Sequence, residues 1–224
     1  MSMDRFIEEK SSTFLTEIDE YLKLNYKNIS CDELCQTYIM FCESLRKKIG
    51  TNDHFSGFSE ALLYRFIFHK IETERNINFY QSDESKKGLF KADKINLEIG
   101  QNQKIKLPKV GKRNFCEPDI SFCSNGVLTG AIEVKTYPAF GRATIIEVFD
   151  DYKKTRIQFN NFKALLIMYY SPPSKRGKSV ITEQLEQCRD DSSGCFDYIC
   201  LKGEEKKLDE ICNIFFKKIG IFGE

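Results

Sequence analysis

Two carboxylates and an amine stand near one another in the middle of the chain: Asp119, Glu133 and Lys135. Carboxylates brought together repel, and each raises the other's pKa unless a cation sits between them. Hard oxygen donors, with waters in the remaining positions, suit magnesium. A lysine two residues from Glu133 could orient or deprotonate a water, or hold a phosphate. Together these groups outline a metal-assisted hydrolytic site. They would equally serve as solvated polar positions on an edge strand, so the elements that carry them decide between the two.

Pro118-Asp119 opens a short alternating run with Ile120 and Phe122 apolar. Ser124-Asn125-Gly126 follows as a turn, because Asn and Gly tolerate positive φ. A second run then places Leu128, Ile132 and Val134 on one parity and Thr129, Ala131, Glu133 and Lys135 on the other. The pattern predicts a β-hairpin with one apolar face. Residues opposite each other in an antiparallel pair share a face. A strict two-residue loop would pair Ser124 with Val127 and put Phe122 and Val134 on different faces. Either a three-residue loop with Ser124 opposite Leu128, or a bulge that shifts the register by one, is therefore expected. Asp119 then lies opposite Glu133, and Lys135 joins them on one face.

Pro118-Asp119 followed by Glu133-Val134-Lys135 resembles the PD-(D/E)xK signature of the restriction-endonuclease-like nucleases. The resemblance implies an α/β fold with an αβββαβ core, in which a mixed central sheet is flanked by helices, covering roughly residues 56–170. It also implies metal ligation by Asp119, Glu133 and the Val134 carbonyl, with Lys135 catalytic. In that family the helix before the sheet often supplies a further acidic group. Glu60 matches that place, although a glutamate in a first helical turn is also favoured by the helix dipole alone.

Around this centre, residues 4–26 read as a helix. Ser30 and Glu33 form a capping box opening a second helix that Gly50 closes. Residues 56–75 form a third, apolar on most sides, with Phe58, Leu62, Leu63, Phe66, Ile67 and Ile71. Ile77–Tyr80 reads as a strand and 81–94 as a polar loop. Ile95–Ile99 and Lys104–Leu107 read as a small inserted hairpin. Thr144 and Glu147 suggest a cap for a helix running to about Asn160. Lys163–Tyr170 is a nearly continuous apolar run that suits a strand buried on both faces. A helix over 180–190, a strand over Phe196–Leu201 and a helix over 204–219 complete the chain. Residues 1–55 form an N-terminal helical extension to a nuclease domain over 56–224, the whole forming one compact unit.

Composition sets the outer limits. Apolar residues make up 41% and charged residues 30% of 224 residues, which fits a folded soluble protein. Net charge is +1, so any basic surface must come from local clustering. Two such clusters are candidate phosphate-backbone contacts: Lys104, Lys106, Lys109, Lys112 and Arg113 before the motif, and Lys175, Arg176 and Lys178 after the long apolar strand. The first would serve equally as a charged edge that discourages aggregation. No run approaches a membrane span and the first residues lack an apolar leader, so a cytoplasmic protein is expected. The nine cysteines, odd in number and without a C-x-x-C, read as free packed thiols. His54 and His69, the only histidines, read as loop and helix-face residues.

The expectation is a magnesium-dependent DNA endonuclease, with manganese as a substitute metal. Its nearest resemblance is to a type II restriction endonuclease working as a homodimer, with no membrane partner. A repair or resolvase nuclease is the alternative within the class. A non-catalytic nuclease-like domain that binds nucleic acid or protein is the alternative outside it, and a helical interaction protein with a coincidental motif is a third.

Overall fold

The computed structural model describes residues 3–50, 56–81, 88–106, 115–136, 142–169 and 180–222. Helices α1 (Met3–Asn25), α2 (Cys31–Ile49) and α3 (Ser56–Arg75) come first. Strands β1 (Phe79–Gln81), β2 (Leu89–Ala92), β3 (Leu97–Gln101), β4 (Ile105–Lys106), β5 (Phe115–Cys116), β6 (Ile120–Ser124) and β7 (Val127–Lys135) follow. The chain continues through α4 (Arg142–Gln158), β8 (Lys163–Met168), α5 (Val180–Asp191), β9 (Phe196–Cys200) and α6 (Leu208–Lys218). Seven strands form one mixed sheet in the order β1-β2-β3-β6-β7-β8-β9, and β4 and β5 form a separate ribbon. The strands from β1 to β7 pair antiparallel, whereas β7, β8 and β9 run parallel. The molecule is thus mixed α/β, as expected. Among the described residues no helix is long and apolar enough to cross a membrane.

Helices cover both faces of the sheet. One core joins α2, α3 and α6 to Ile99, Ile120, Phe122, Ile132, Val134, Leu165 and Ile167. The other joins α4 and α5 to Leu128, Ala131, Ala164, Leu166 and Met168. Successive β8 residues alternate between the two cores, which is why that strand reads as an unbroken apolar run. Helix α3 is sandwiched, with Leu62, Leu63, Phe66, Ile67 and Ile71 all at 0% exposure. Helix α2 has the expected caps. Ser30 Oγ accepts the Glu33 N–H at 3.0 Å. Gly50 takes the left-handed conformation (φ 72°) and donates to the Arg46 carbonyl.

The motif hairpin realises the bulge alternative. Asn125 and Gly126 both have positive φ, 51° and 74°, so the turn is a tight two-residue one and Ser124 pairs with Val127, not Leu128. The register then shifts, with Cys123 opposite Leu128 but Phe122 opposite Gly130. Thr129 is the extra residue, and its hydroxyl donates to the Phe122 carbonyl at 3.2 Å. Beyond it Ile120 pairs with Ile132. The bulge sends Leu128 to the α4–α5 core while Ile132 and Val134 face the other core, correcting the shared face expected for the three.

Several expected boundaries are corrected. Residues 81–94 include β2, whose four residues are too few to show a period; Lys91 pairs with Glu98 of β3 at 2.8 Å. Ile95–Ile99 and Lys104–Leu107 do not form a hairpin together. Leu97 and Ile99 bury in the main core, so β3 joins the large sheet between β2 and β6. Asn102 turns the chain with φ 51°, and β4 pairs with β5 instead. Helix α4 starts at Arg142, so Thr144 lies inside its first turn and cannot cap it. Helix α6 starts at Leu208, four residues later than expected. All nine cysteines are free thiols, and seven of them are buried.

Candidate active site

The bulge decides what the hairpin can present. With Ile120 opposite Ile132, one further step brings Asp119 opposite Glu133, on the face turned towards α4. Asp119 is 8% exposed, and its Oδ2 accepts the Val134 N–H at 2.6 Å. A strand residue's N–H and C=O leave on the same side, as the paired exchange of an antiparallel ladder requires. The Val134 carbonyl is therefore directed to the Asp119 side of β7. The Lys135 carbonyl points the other way and accepts the Tyr169 N–H at 3.0 Å.

Lys135 Nζ donates to Glu133 Oε1 at 2.5 Å and lies 3.8 Å from Asp119 Oδ2. The buried Tyr152 of α4 donates its hydroxyl to the other Glu133 oxygen at 3.1 Å. Glu60 is the fifth residue of α3, beyond the first turn expected for it; it is close enough for the Lys135 and Glu133 charges to act on it, and its carboxylate is hydrogen-bonded by the Asn102 side chain. The Asn102 N–H in turn donates to the Asp119 carbonyl at 3.1 Å. The structure thus brings Glu60, Asp119, Glu133, Val134 and Lys135 to one end of β7.

Charge is unbalanced there. Burial, then the Glu133 carboxylate, push the Asp119 carboxyl up to about 7, against the pull of Lys135. Burial likewise raises Glu60. Burial by itself would lower the Lys135 ammonium, but Glu133 and Asp119 outweigh it and raise the pKa. Burial, then Glu133, hold Tyr152 well above the ordinary phenol value, so it stays a donor. Among the described residues Glu60, Asp119 and Glu133 face one ammonium, that of Lys135, and that excess of negative charge fits an added cation. Among the described residues no three His, Cys, Asp or Glu side chains are grouped to hold a metal ion. A cation held here would take one or two carboxylates and keep several waters rather than sit in an all-protein cage.

A cleft of about 470 Å³ opens onto Glu133 and Lys135, lined also by Phe115, Glu147, Asp151 and Tyr152 among others. From the sequence Glu147 reads only as a cap, and Tyr152, Phe115, Asn102 and Asp151 are given no part in the site. The available signal was the four-residue spacing of Glu147 with Asp151 and of Val148 with Tyr152, which makes each pair neighbours on the α4 surface.

The basic candidates divide. Lys104 and Lys106 are exposed on and beside β4, next to the cleft. Lys109, Lys112, Arg113, Lys175, Arg176 and Lys178, and also His54, lie outside the described residues. His69 Nε2 is 3.0 Å from Asp19 Oδ1, between α3 and α1.

No protein-family model matches the sequence. No curated protein matches it. Among solved structures the chain is similar to one described as the native BbvCI A2B2 tetramer at low resolution, with a TM-score of 0.43 and 11% identity. That match covers 100% of this chain and 93% of the other.

Proposed function

We propose that the chain is a magnesium-dependent phosphodiesterase acting on DNA, of the PD-(D/E)xK kind, and within it a type II restriction endonuclease. The observation that carries this is the convergence of Asp119, just before β6, with Glu133 and Lys135 from β7, the lysine 2.5 Å from one carboxylate and 3.8 Å from the other. A surface edge strand has no reason to bury an aspartate beside a second carboxylate. With β1, β2 and the β4–β5 ribbon set aside as additions, α3, β3, β6, β7, α4 and β8 follow in the αβββαβ order that the resemblance implies, which supports the reading.

Asp119, Glu133 and the Val134 carbonyl would hold the metal, with Glu60 as an outer ligand. Magnesium, or manganese in its place, would supply polarisation of the phosphate oxygen and a more acidic water. The chain's own groups do the rest. Tyr152 fixes the Glu133 carboxylate from α4, and the Val134 N–H fixes Asp119. Lys135 orients the attacking water and offsets charge gathering on the phosphate. Lys104 and Lys106 contact the DNA backbone. Cutting both strands requires two such sites, which a homodimer provides.

A second reading is a non-catalytic nuclease-like domain that binds nucleic acid or protein. Both Glu133 oxygens already accept a protein donor, Lys135 on one and Tyr152 on the other, which favours it. Calorimetric titration of the protein with magnesium and with manganese separates the two. Binding that is lost in Asp119→Ala supports the nuclease, and no binding of either ion supports the second reading.

A further inference from the structure

The β4–β5 ribbon at the mouth of the cleft has two unlike faces. On one, Ile105 packs against the α4–α5 core, and the buried Cys116 Sγ lies 3.5 Å from the Thr155 hydroxyl. That face anchors the ribbon. On the other, Phe115 lies directly opposite Lys106, and Lys104 two residues back shares the same side. Phe115 is 43% exposed and lines the same cleft as Glu133 and Lys135. The Lys104 ammonium stands 5.4 Å from the centre of its ring. A single exposed apolar residue needs no explanation. An exposed aromatic flanked by two cations on one ribbon face, at the rim of a carboxylate-rich cleft, is the arrangement by which proteins track an unpaired nucleic-acid strand.

Resting on the phosphodiesterase reading of the cleft, we infer that Phe115 is a stacking platform for an unstacked nucleobase. Lys104 and Lys106 take the phosphates beside it. Phe115 is four residues from Asp119, so the two Cα atoms are at most roughly 14 Å apart. The base on the ring belongs to a nucleotide close to the bond being cut. Bases inside a duplex have both faces covered by their neighbours, so the base must come from a single strand or be turned out of a duplex. Phe115 is a positioning residue: it holds the strand and does not touch the reacting phosphate.

The chain contains no tryptophan, so Phe115→Trp introduces a lone indole at the platform. In an Asp119→Asn background, to prevent cutting, its emission is followed while a single-stranded oligodeoxynucleotide, its duplex or inorganic phosphate is added. Saturable quenching by the single strand, and none by phosphate, is expected. Equal quenching by the duplex assigns the base to a turned-out duplex nucleotide, and quenching by the single strand alone assigns it to an unpaired strand. In cleavage assays Phe115→Ala should raise KM roughly tenfold with kcat little changed, and Phe115→Trp should restore KM. The inference is overturned if the labelled strand binds, by anisotropy, without change in indole emission, if no strand binds, or if Phe115→Ala keeps the wild-type KM. Wild-type protein that cuts no nucleic acid in magnesium would instead defeat the phosphodiesterase reading, and the indole titration would still judge Phe115.

Discussion

Asp119 Oδ2 accepts the backbone N–H of Val134 at 2.6 Å, so the first carboxylate of the site is pinned by the strand that carries the second. The contact joins the start of β6 to the end of β7 beyond their last paired residues, Ile120 and Ile132. It also holds Asp119 where burial, then Glu133 and Glu60, raise its pKa.

That crowding gives a pH dependence in metal-free protein. The folded pKa of Asp119, about 7, lies above its ordinary value of 3.8. The folded state therefore keeps a proton that the unfolded state gives up. The stability contributed is full below about pH 4 and is lost as pH rises towards 7. Asp119→Asn removes this slope. Thermal melts in EDTA from pH 5 to pH 8 should show the variant gaining on wild type as pH rises. Each 1 kcal/mol appears as about 2–4 °C in a chain of this size. A constant difference in melting temperature across that range would contradict the cause assigned here.

Tyr152 tests whether Glu133 needs its second partner. The hydroxyl is buried and donates to a carboxylate at 3.1 Å, a bond of the charged kind worth about 1.5–3 kcal/mol. Tyr152→Phe should lower kcat about tenfold with little change in KM, since Glu133 then keeps only Lys135. Unchanged kcat would mean that Lys135 alone positions the carboxylate.

Gly130 tests the packing behind the hairpin. A Cβ there would meet Ile219 Cγ2 at 2.9 Å and Phe215 Cζ at 3.2 Å, so α6 approaches β7 more closely than a side chain allows. Gly130→Ala should destabilise by about 1–3 kcal/mol, measured by urea unfolding. A neutral result would mean that α6 moves away freely.

Much of this was legible from residue order. The α2 caps, the span of α3 and the buried run of β8 each follow from one local signal: Ser30 with Glu33, an apolar stretch between 56 and 75, and unbroken Lys163–Met168. Parity in the hairpin required either a longer loop or a bulge, and only the fold chooses between them. The choice fell on Thr129 because Asn125-Gly126 already makes a tight turn. What was not legible is long-range. Leu97–Gln101 carries no mark of pairing with Ile120–Ser124 rather than with the next segment along. Nor does Tyr152 announce that α4 will lay its hydroxyl on Glu133, because the same stripe of α4 also buries Phe149 in the core.

The most direct test of the central claim is cleavage of plasmid DNA by the purified protein in magnesium, beside EDTA, Asp119→Ala and Lys135→Ala. Wild type should give discrete fragments, none in EDTA, and either variant should lose about a hundredfold or more. Cleavage that survives Asp119→Ala, or folded wild-type protein that cuts no nucleic acid and binds no metal, would contradict it.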